Sequence, residues 1–345
     1  MRKNRIDVCF IADRYNTRYL SGFSGTSSYI LISSKRAYFY TDARYFERVE
    51  KDLNGIYHTK LLGKTPWRKI EDCINNLSCK IIGFEETIPY VIFKRLRTIA
   101  RDERRMKECG HLIRNLRMIK DEYEIESIQK AAALTDEIFS RILDFIKPGR
   151  REIDIARRIK KISLSLGIDA MAFPPIVASG PNAAVPHHEP GARTLESGDV
   201  LILDFGATFN GYCADMTRTI FIGKPHPRMR KIYRIVHQAQ QIGLQSLRVG
   251  IRARSVDRKV RQFINHMGYA KQFIHGLGHS LGLEIHESPA LSQVAEGYVR
   301  AGMLFTIEPG IYVSGEGGVR IEDTVLVEPT GIQILSGSDK DLIVV

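Results

Sequence analysis

Short apolar runs separated by polar stretches dominate the first hundred residues. Val8–Ile11, Tyr29–Ile32, Ala37–Tyr40 and Lys80–Phe84 have the length and the β-branched or aromatic content of strands. They alternate with amphipathic stretches at Ala43–Lys51 and Tyr90–Ala100, a pattern that predicts a small α/β domain. Beyond it the period changes. Asp121–Ile146 places Ile125, Ile128, Ala132, Leu134, Ile138 and Ile142 at helical spacing and stops at Lys147-Pro148-Gly149. A second helix is predicted over Ile153–Leu166, ending at Gly167. The remainder alternates strands with Gly- and Pro-rich loops. The expected organisation is two domains, 1–118 and 119–345, of α/β (α+β) class.

Composition narrows the class. At 345 residues and 43% hydrophobic content the chain can bury a sizeable core, as a soluble globular protein does. No run approaches the ~20 apolar residues needed to cross a bilayer, and Met1–Tyr15 mixes charges through its apolar positions, so no membrane partner is expected and the cytoplasm is the expected location. Five cysteines (Cys9, Cys73, Cys79, Cys109, Cys213) are scattered and lack CxxC pairing, which argues for reduced, mostly buried thiols. The net charge of +12 is localised. Residues 1–118 hold 24 Lys and Arg against 13 Asp and Glu, whereas residues 119–345 hold 27 against 26. The densest basic run, Arg101, Arg104, Arg105 and Lys107, has no interleaved aromatics to stack bases, so a solvated basic face is expected and nucleic acid is not the expected partner.

The candidate chemistry lies in the second domain. In VLILDFGATFNGYCADMTRT, residues 200–219, Asn210-Gly211 joins two apolar-alternating runs as a two-residue hairpin loop would. Such a loop pairs 209 with 212, and so 206 with 215. Asp204 shares a face with 206 because side chains repeat every second residue. Both carboxylates then point the same way as diagonal neighbours roughly 7–8 Å apart. Two acids on the solvent face of a hairpin are the ordinary alternative; cations between two converging acids are the other reading. Three further segments bear on the choice. HGLGHSLGLEIHE (275–287) places His275, His279 and His286 among glycines that let bare backbone approach a ligand. TIEPGIY (306–312) sets Glu308 directly before Pro309-Gly310 at the end of an apolar run. VRIEDTVLV (319–327) is predicted as one strand with Arg320 and Glu322 embedded in it, which is costly unless they are paired or metal-bound.

In this order and within these motifs, Asp204, Asp215, His279, Glu308 and Glu322 resemble the ligand set of the metallopeptidase family that includes methionine aminopeptidase, prolidase and aminopeptidase P. The resemblance covers essentially the whole chain, because residues 16–47 are similar to the amino-terminal domain of the creatinase and Xaa-Pro peptidase branch. It implies a creatinase-like α/β domain followed by a "pita-bread" catalytic domain with an antiparallel sheet and flanking helices. It also implies two divalent metal ions. Asp215, His279 and Glu308 would hold one ion, with Asp204 and Glu322 reaching the other or bridging. Mostly oxygen ligands with one nitrogen suit Mn(II) or Co(II), with Zn(II) or Fe(II) also open.

The implied reaction is hydrolysis of the Xaa-Pro bond in dipeptides or short peptides by a metal-bridging hydroxide, with Glu308 as proton acceptor and shuttle. By the same resemblance His187, in SGPNAAVPHHEP, and His286 contact the substrate and steady the tetrahedral intermediate, with His188 the alternative to His187. Arg320 would pair with a substrate carboxylate or orient Glu322. His275 and Tyr312 would line the substrate pocket. The substrate partner is a small peptide with proline second, and a homodimer is expected, the amino-terminal domain of one subunit closing the other's pocket. Xaa-Pro aminopeptidase activity on longer peptides is the neighbouring alternative. Methionine aminopeptidase, a creatinase-like hydrolase lacking metal ligands, and a non-catalytic basic binding homologue are more distant ones.

Overall fold

The computed structural model describes Met1 and Arg5–Val345 and divides into two compact units, Met1–Arg117 and Met118–Val345. In the first unit six strands form one sheet in the order His58–Leu61, Ala37–Thr41, Ser28–Ser33, Val8–Ile11, Ile82–Phe84, Met106–Glu108. Ser28–Ser33 runs antiparallel to both neighbours and the outer pairs are parallel. Val8 and Phe10 pack into one hydrophobic cluster and Cys9 and Ile11 into another. A strand covered on both faces reads as a continuous apolar run, which is why this one shows no alternation. All five cysteines are free thiols, four of them buried.

In the second unit Asp121 caps the helix Glu122–Leu143 in a reciprocal box with Glu124, and Glu152–Ser165 follows it. The strand Val200–Phe205 lies in a four-stranded sheet, between Met216–Phe221 and Ile176–Ser179. Its side chains alternate between two layers. Leu201, Leu203 and Phe205 join the cluster formed with those two helices, while Val200 and Ile202 join the larger cluster under the helices Pro227–Ser246 and Ala253–His266. Asp204 therefore interrupts an otherwise apolar face. Among the described residues no helix is long and apolar enough to cross a membrane.

Two hairpins carry the chemistry. In the first, Asn210 and Gly211 have φ of 50° and 77°, the left-handed pair that a two-residue loop matched to strand twist requires. Phe209 pairs with Tyr212, and the same register continues to Met216 opposite Phe205 and Thr217 opposite Asp204. Gly206 thus faces Asp215, the parity expected from the sequence.

The second hairpin departs from the expectation of one strand over 319–327. Gly317–Arg320 pairs with Gly310–Val313 and Asp323–Glu328 pairs with Leu304–Ile307, all in one register but interrupted at Glu308-Pro309 and Ile321-Glu322. That register sets Glu308 directly opposite Glu322. Pro309 has no N–H to give the ladder, so pairing must stop there. The freed backbone is used elsewhere: Glu322 N donates to Thr217 O at 3.1 Å and Glu308 N to Leu277 O at 2.9 Å. Thr324 Oγ1 ties the hairpins again, donating to Asp215 O at 2.8 Å and lying 3.3 Å from Asp215 N.

Candidate metal centre

The two hairpins and the glycine-rich strand Gly278–Ser280 converge on a cavity of about 560 Å³. Of the residues singled out from sequence, His187, Asp204, Asp215, His275, His279, His286, Glu308, Arg320 and Glu322 all line it. Tyr312 is not on that wall. It is 5% exposed and reaches the site through its hydroxyl, which receives Arg320 Nη1 at 2.8 Å and lies 3.0 Å from His275 Nε2. Phe173, Pro174 and Pro175, which the sequence reading did not single out, supply an apolar wall.

Gly278 makes the convergence possible. A Cβ at this position would lie 2.0 Å from the carbonyl oxygen of Thr306. Gly278→Ala is expected to cost about 1–3 kcal/mol or more by forcing the two strands apart, read as a lower midpoint in urea unfolding.

Glu308 and Glu322 each accept from a threonine, one on the same strand and one on the other hairpin. Thr306 Oγ1 donates to Glu308 Oε1 at 3.0 Å and receives His279 N at 3.0 Å. Thr217 Oγ1 donates to Glu322 Oε2 at 2.6 Å and receives Arg320 Nε at 3.0 Å. Arg320 Nη2 pairs with Asp204 Oδ2, and Nη1 also approaches Pro186 O at 3.4 Å. Most of the guanidinium's donors are therefore committed within the protein. Its link to Glu322 runs through Thr217 rather than directly.

Three atoms in this cluster are left over. Asp204 Oδ1, Asp215 Oδ1 and Glu322 Oε1 are buried without a hydrogen-bond partner, and only Arg150 Nε joins them among the described residues. Buried carboxylate oxygens without donors are costly, so their concentration in one place points to a cation. Donor atoms of Asp215, His279 and Glu322 all lie within 4.8 Å of one another. His279 Nε2 stands 3.6 Å from Asp215 Oδ2 and 3.5 Å from Glu308 Oε1. Its Nδ1 is 3.1 Å from Ser280 O, an arrangement that places the proton on Nδ1 and leaves the Nε2 lone pair facing the acids. The donor set, oxygens with one imidazole, fits divalent cations.

The electrostatics agree. Burial pushes Asp215 well above the usual carboxylate range, aided by Asp204 and Glu308. Burial does the same to Glu322, aided by Asp215 and Glu308, and brings Glu308 to about 7. Burial lowers His279 to about 4 with help from His286, and lowers His275 to about 4 with help from Arg320. His286 is lowered by burial and then by His187.

These shifts predict how the metal-free protein responds to pH. Above about pH 7 both histidines are neutral folded or unfolded, so the carboxylates decide. Their folded pKa values exceed the unfolded ones, so the folded state holds more protons and stability falls as pH rises. The thermal midpoint of chelator-treated protein is expected to drop from pH 7 to 8.5, and the increment given by saturating Mn(II) to grow over the same interval. A flat metal-free midpoint would contradict this account.

A buried four-carboxylate, one-imidazole centre at the seam of two hairpins defines a metallohydrolase. Residues 126–329 match metallopeptidase family M24, and residues 1–119 match the creatinase/prolidase N-terminal domain. The chain is 35% identical over 345 residues, 99% of its length and 96% of the relative's, to the Xaa-Pro dipeptidase of Pyrococcus horikoshii. It superimposes on the Xaa-Pro dipeptidase from Bacillus anthracis with a TM-score of 0.96 at 36% identity, covering 100% of this chain and 96% of the other. On the X-Pro aminopeptidase from Thermotoga maritima the TM-score is 0.90 at 34% identity, covering 100% of both chains. The chain therefore belongs to metallopeptidase family M24: it is a metallopeptidase with a creatinase-like N-terminal domain and the pita-bread fold. Membership implies that it works with divalent metal ions.

Proposed function

We propose that the protein hydrolyses Xaa-Pro dipeptides at a dinuclear centre held by Asp204, Asp215, His279, Glu308 and Glu322. The observation that carries this is the trio of donor-less buried carboxylate oxygens, on Asp204, Asp215 and Glu322, that line one cavity with His279. Asp215, His279 and Glu308 would hold one ion, with Asp204 and Glu322 available to the second. Mn(II) or Co(II) suits the oxygen-rich set. A pair of divalent ions held there would supply Lewis-acid activation of water and of the scissile carbonyl.

The chain's own residues do the rest. Glu308, whose Oε1 is held by Thr306 Oγ1 on the cavity wall, accepts and passes on a proton at its carboxylate. His187 and His286, on the cavity wall, contact the substrate amide and the developing oxyanion. His275, whose Nε2 takes the Tyr312 hydroxyl, stays neutral and lines the pocket with it. Arg320 balances the carboxylates and orients Glu322 through Thr217. The apolar wall of Phe173, Pro174 and Pro175 favours a prolyl ring, and an X–Pro amide makes no demand for an N–H acceptor. The dipeptidase names of the relatives of similar length support this substrate. The likeness to an X-Pro aminopeptidase keeps longer peptides as a second reading. The amino-terminal domain gives way to the catalytic domain at about residue 118, and the enzyme assembles as a homodimer.

The test is hydrolysis of Ala-Pro, Ala-Pro-Ala and Met-Ala by the Mn(II)-supplemented enzyme. The proposal expects kcat/KM for Ala-Pro to exceed the others by at least tenfold. A preference for Ala-Pro-Ala selects the aminopeptidase reading, and cleavage of Met-Ala alone overturns the proline assignment.

A further inference from the structure

Among the buried carboxylates outside the centre, one stands at the head of the helix Glu152–Ser165. Glu152 is fully buried and surrounded by donors. Its Oε1 accepts Ser179 N at 2.8 Å, Ser179 Oγ at 2.7 Å and Asn182 Nδ2 at 3.0 Å. Its Oε2 accepts Gly191 N at 3.2 Å and lies 2.8 Å from His188 Nε2. Burial pushes this carboxyl upward, but the bonds from Ser179, His188 and Asn182 outweigh it and hold the group below its ordinary range. Its position in the first helical turn also favours the anion.

Those donors come from both ends and the middle of one segment, residues 179–191. The same segment brings Pro186 and His187 to the cavity, and the Pro186 carbonyl faces Arg320. The segment leaves the sheet at Ser179, which still pairs with Leu201, and from Gly180 onward it is irregular, built on the short 3₁₀ turn Gly180–Ala184. Beside a few backbone bonds, such as Ile153 N to Gly191 O at 3.0 Å, Glu152 is the one side chain that gathers donors from four positions along it. His188 lines the cavity too, but its Nε2 is held at Glu152, so the ring at 187 is the one left to face a substrate.

We propose that Glu152 is a positioning residue for the peptidase reaction: through Ser179, Asn182, His188 and Gly191 it pins residues 179–191 and so fixes His187 against the cavity. His188 serves as the tether and His187 as the working ring. The inference rests on the reading of His187 as a substrate contact.

A double-mutant cycle tests it on the Mn(II)-loaded enzyme with Ala-Pro, using Glu152→Gln, His187→Ala and the double variant. Glutamine turns two N–H groups toward a ring of donors. Glu152→Gln is expected to lower kcat about 10- to 100-fold, the scale of a misplaced catalytic contact, with KM changed less than threefold and metal stoichiometry intact. In the His187→Ala background the same change should cost less than threefold. An equal loss in both backgrounds marks a merely structural role and overturns the proposal, as does an unchanged kcat. If Glu152→Gln does not fold, His188→Gln, which removes one bond, takes its place with the same criteria. A His187→Ala enzyme with wild-type kcat would instead sink the reading of His187 itself. The His187 ring resonance in ¹⁵N-histidine-labelled protein then decides the inference: displaced or broadened in Glu152→Gln supports the tether, unchanged overturns it.

Discussion

Glu308→Gln is expected to reduce kcat on Ala-Pro by about 10³-fold or more while leaving the fold intact, a loss on the scale of general acid–base catalysis plus a perturbed ligand. Glutamine keeps the shape and can keep the bond from Thr306 Oγ1, so the packing at the hairpin break is preserved. What disappears is a charge placed beside Asp204 and opposite Glu322. The same substitution should act in the opposite direction on the metal-free protein. At pH 8 it removes a buried carboxylate whose neighbours already resist ionisation, so the chelator-treated variant should melt higher than the chelator-treated wild type. Opposite signs in activity and apo stability separate a functional carboxylate from a structural one. Retained activity would remove Glu308 from the mechanism.

Arg218→Met is expected to destabilise the protein by about 3–5 kcal/mol, read as a shift of the urea midpoint. Arg218 is 1% exposed. Its Nη2 bonds Asp323 Oδ1 and Ser338 O, both at 2.8 Å, its Nε bonds Asp339 O at 3.0 Å, and its Nη1 bonds Thr217 O at 3.0 Å and Glu322 O. Methionine fills the space but removes the guanidinium from the carbonyls of Ser338, Asp339 and Glu322 and from part of a fully buried carboxylate, while Thr217 O keeps Glu322 N. Asp323 keeps Gln240 Nε2 at 2.6 Å and the Lys340 ammonium, so the loss is partial there. Because Thr217 and Glu322 are both on the list, Mn(II) affinity should weaken too. A midpoint shift equivalent to less than 1 kcal/mol would show that the network is solvated in solution.

The contrast between these two residues shows what sequence can carry. Asp204 and Asp215 were placed on one face by turn chemistry alone, since Asn210-Gly211 dictates a two-residue loop and the register follows. The helix at 122–143 was equally legible, because its cap and period are local signals. The break at Ile321-Glu322 was not. The residues there continue a strand pattern, and the interruption comes from Pro309 on the partner strand and from Thr217 of the other hairpin. Thr217 and Thr306 could have been found, as each lies two residues from a candidate ligand on the same strand face. Arg218 and Glu152 could not, because their partners stand up to 121 and 39 positions away and only the fold reveals that both are buried. The candidate ligands that converge on the cavity were thus visible, and the residues that brace them mostly were not.

The central claim is that five side chains on two hairpins and one strand hold two metal ions. Anomalous diffraction from crystals grown with Mn(II) tests it most directly. The account predicts two peaks per chain within roughly 4 Å of each other, one among Asp215, His279 and Glu308 and one reached by Asp204 and Glu322. A single peak, or peaks that leave any of the five side chains without an ion, would contradict it.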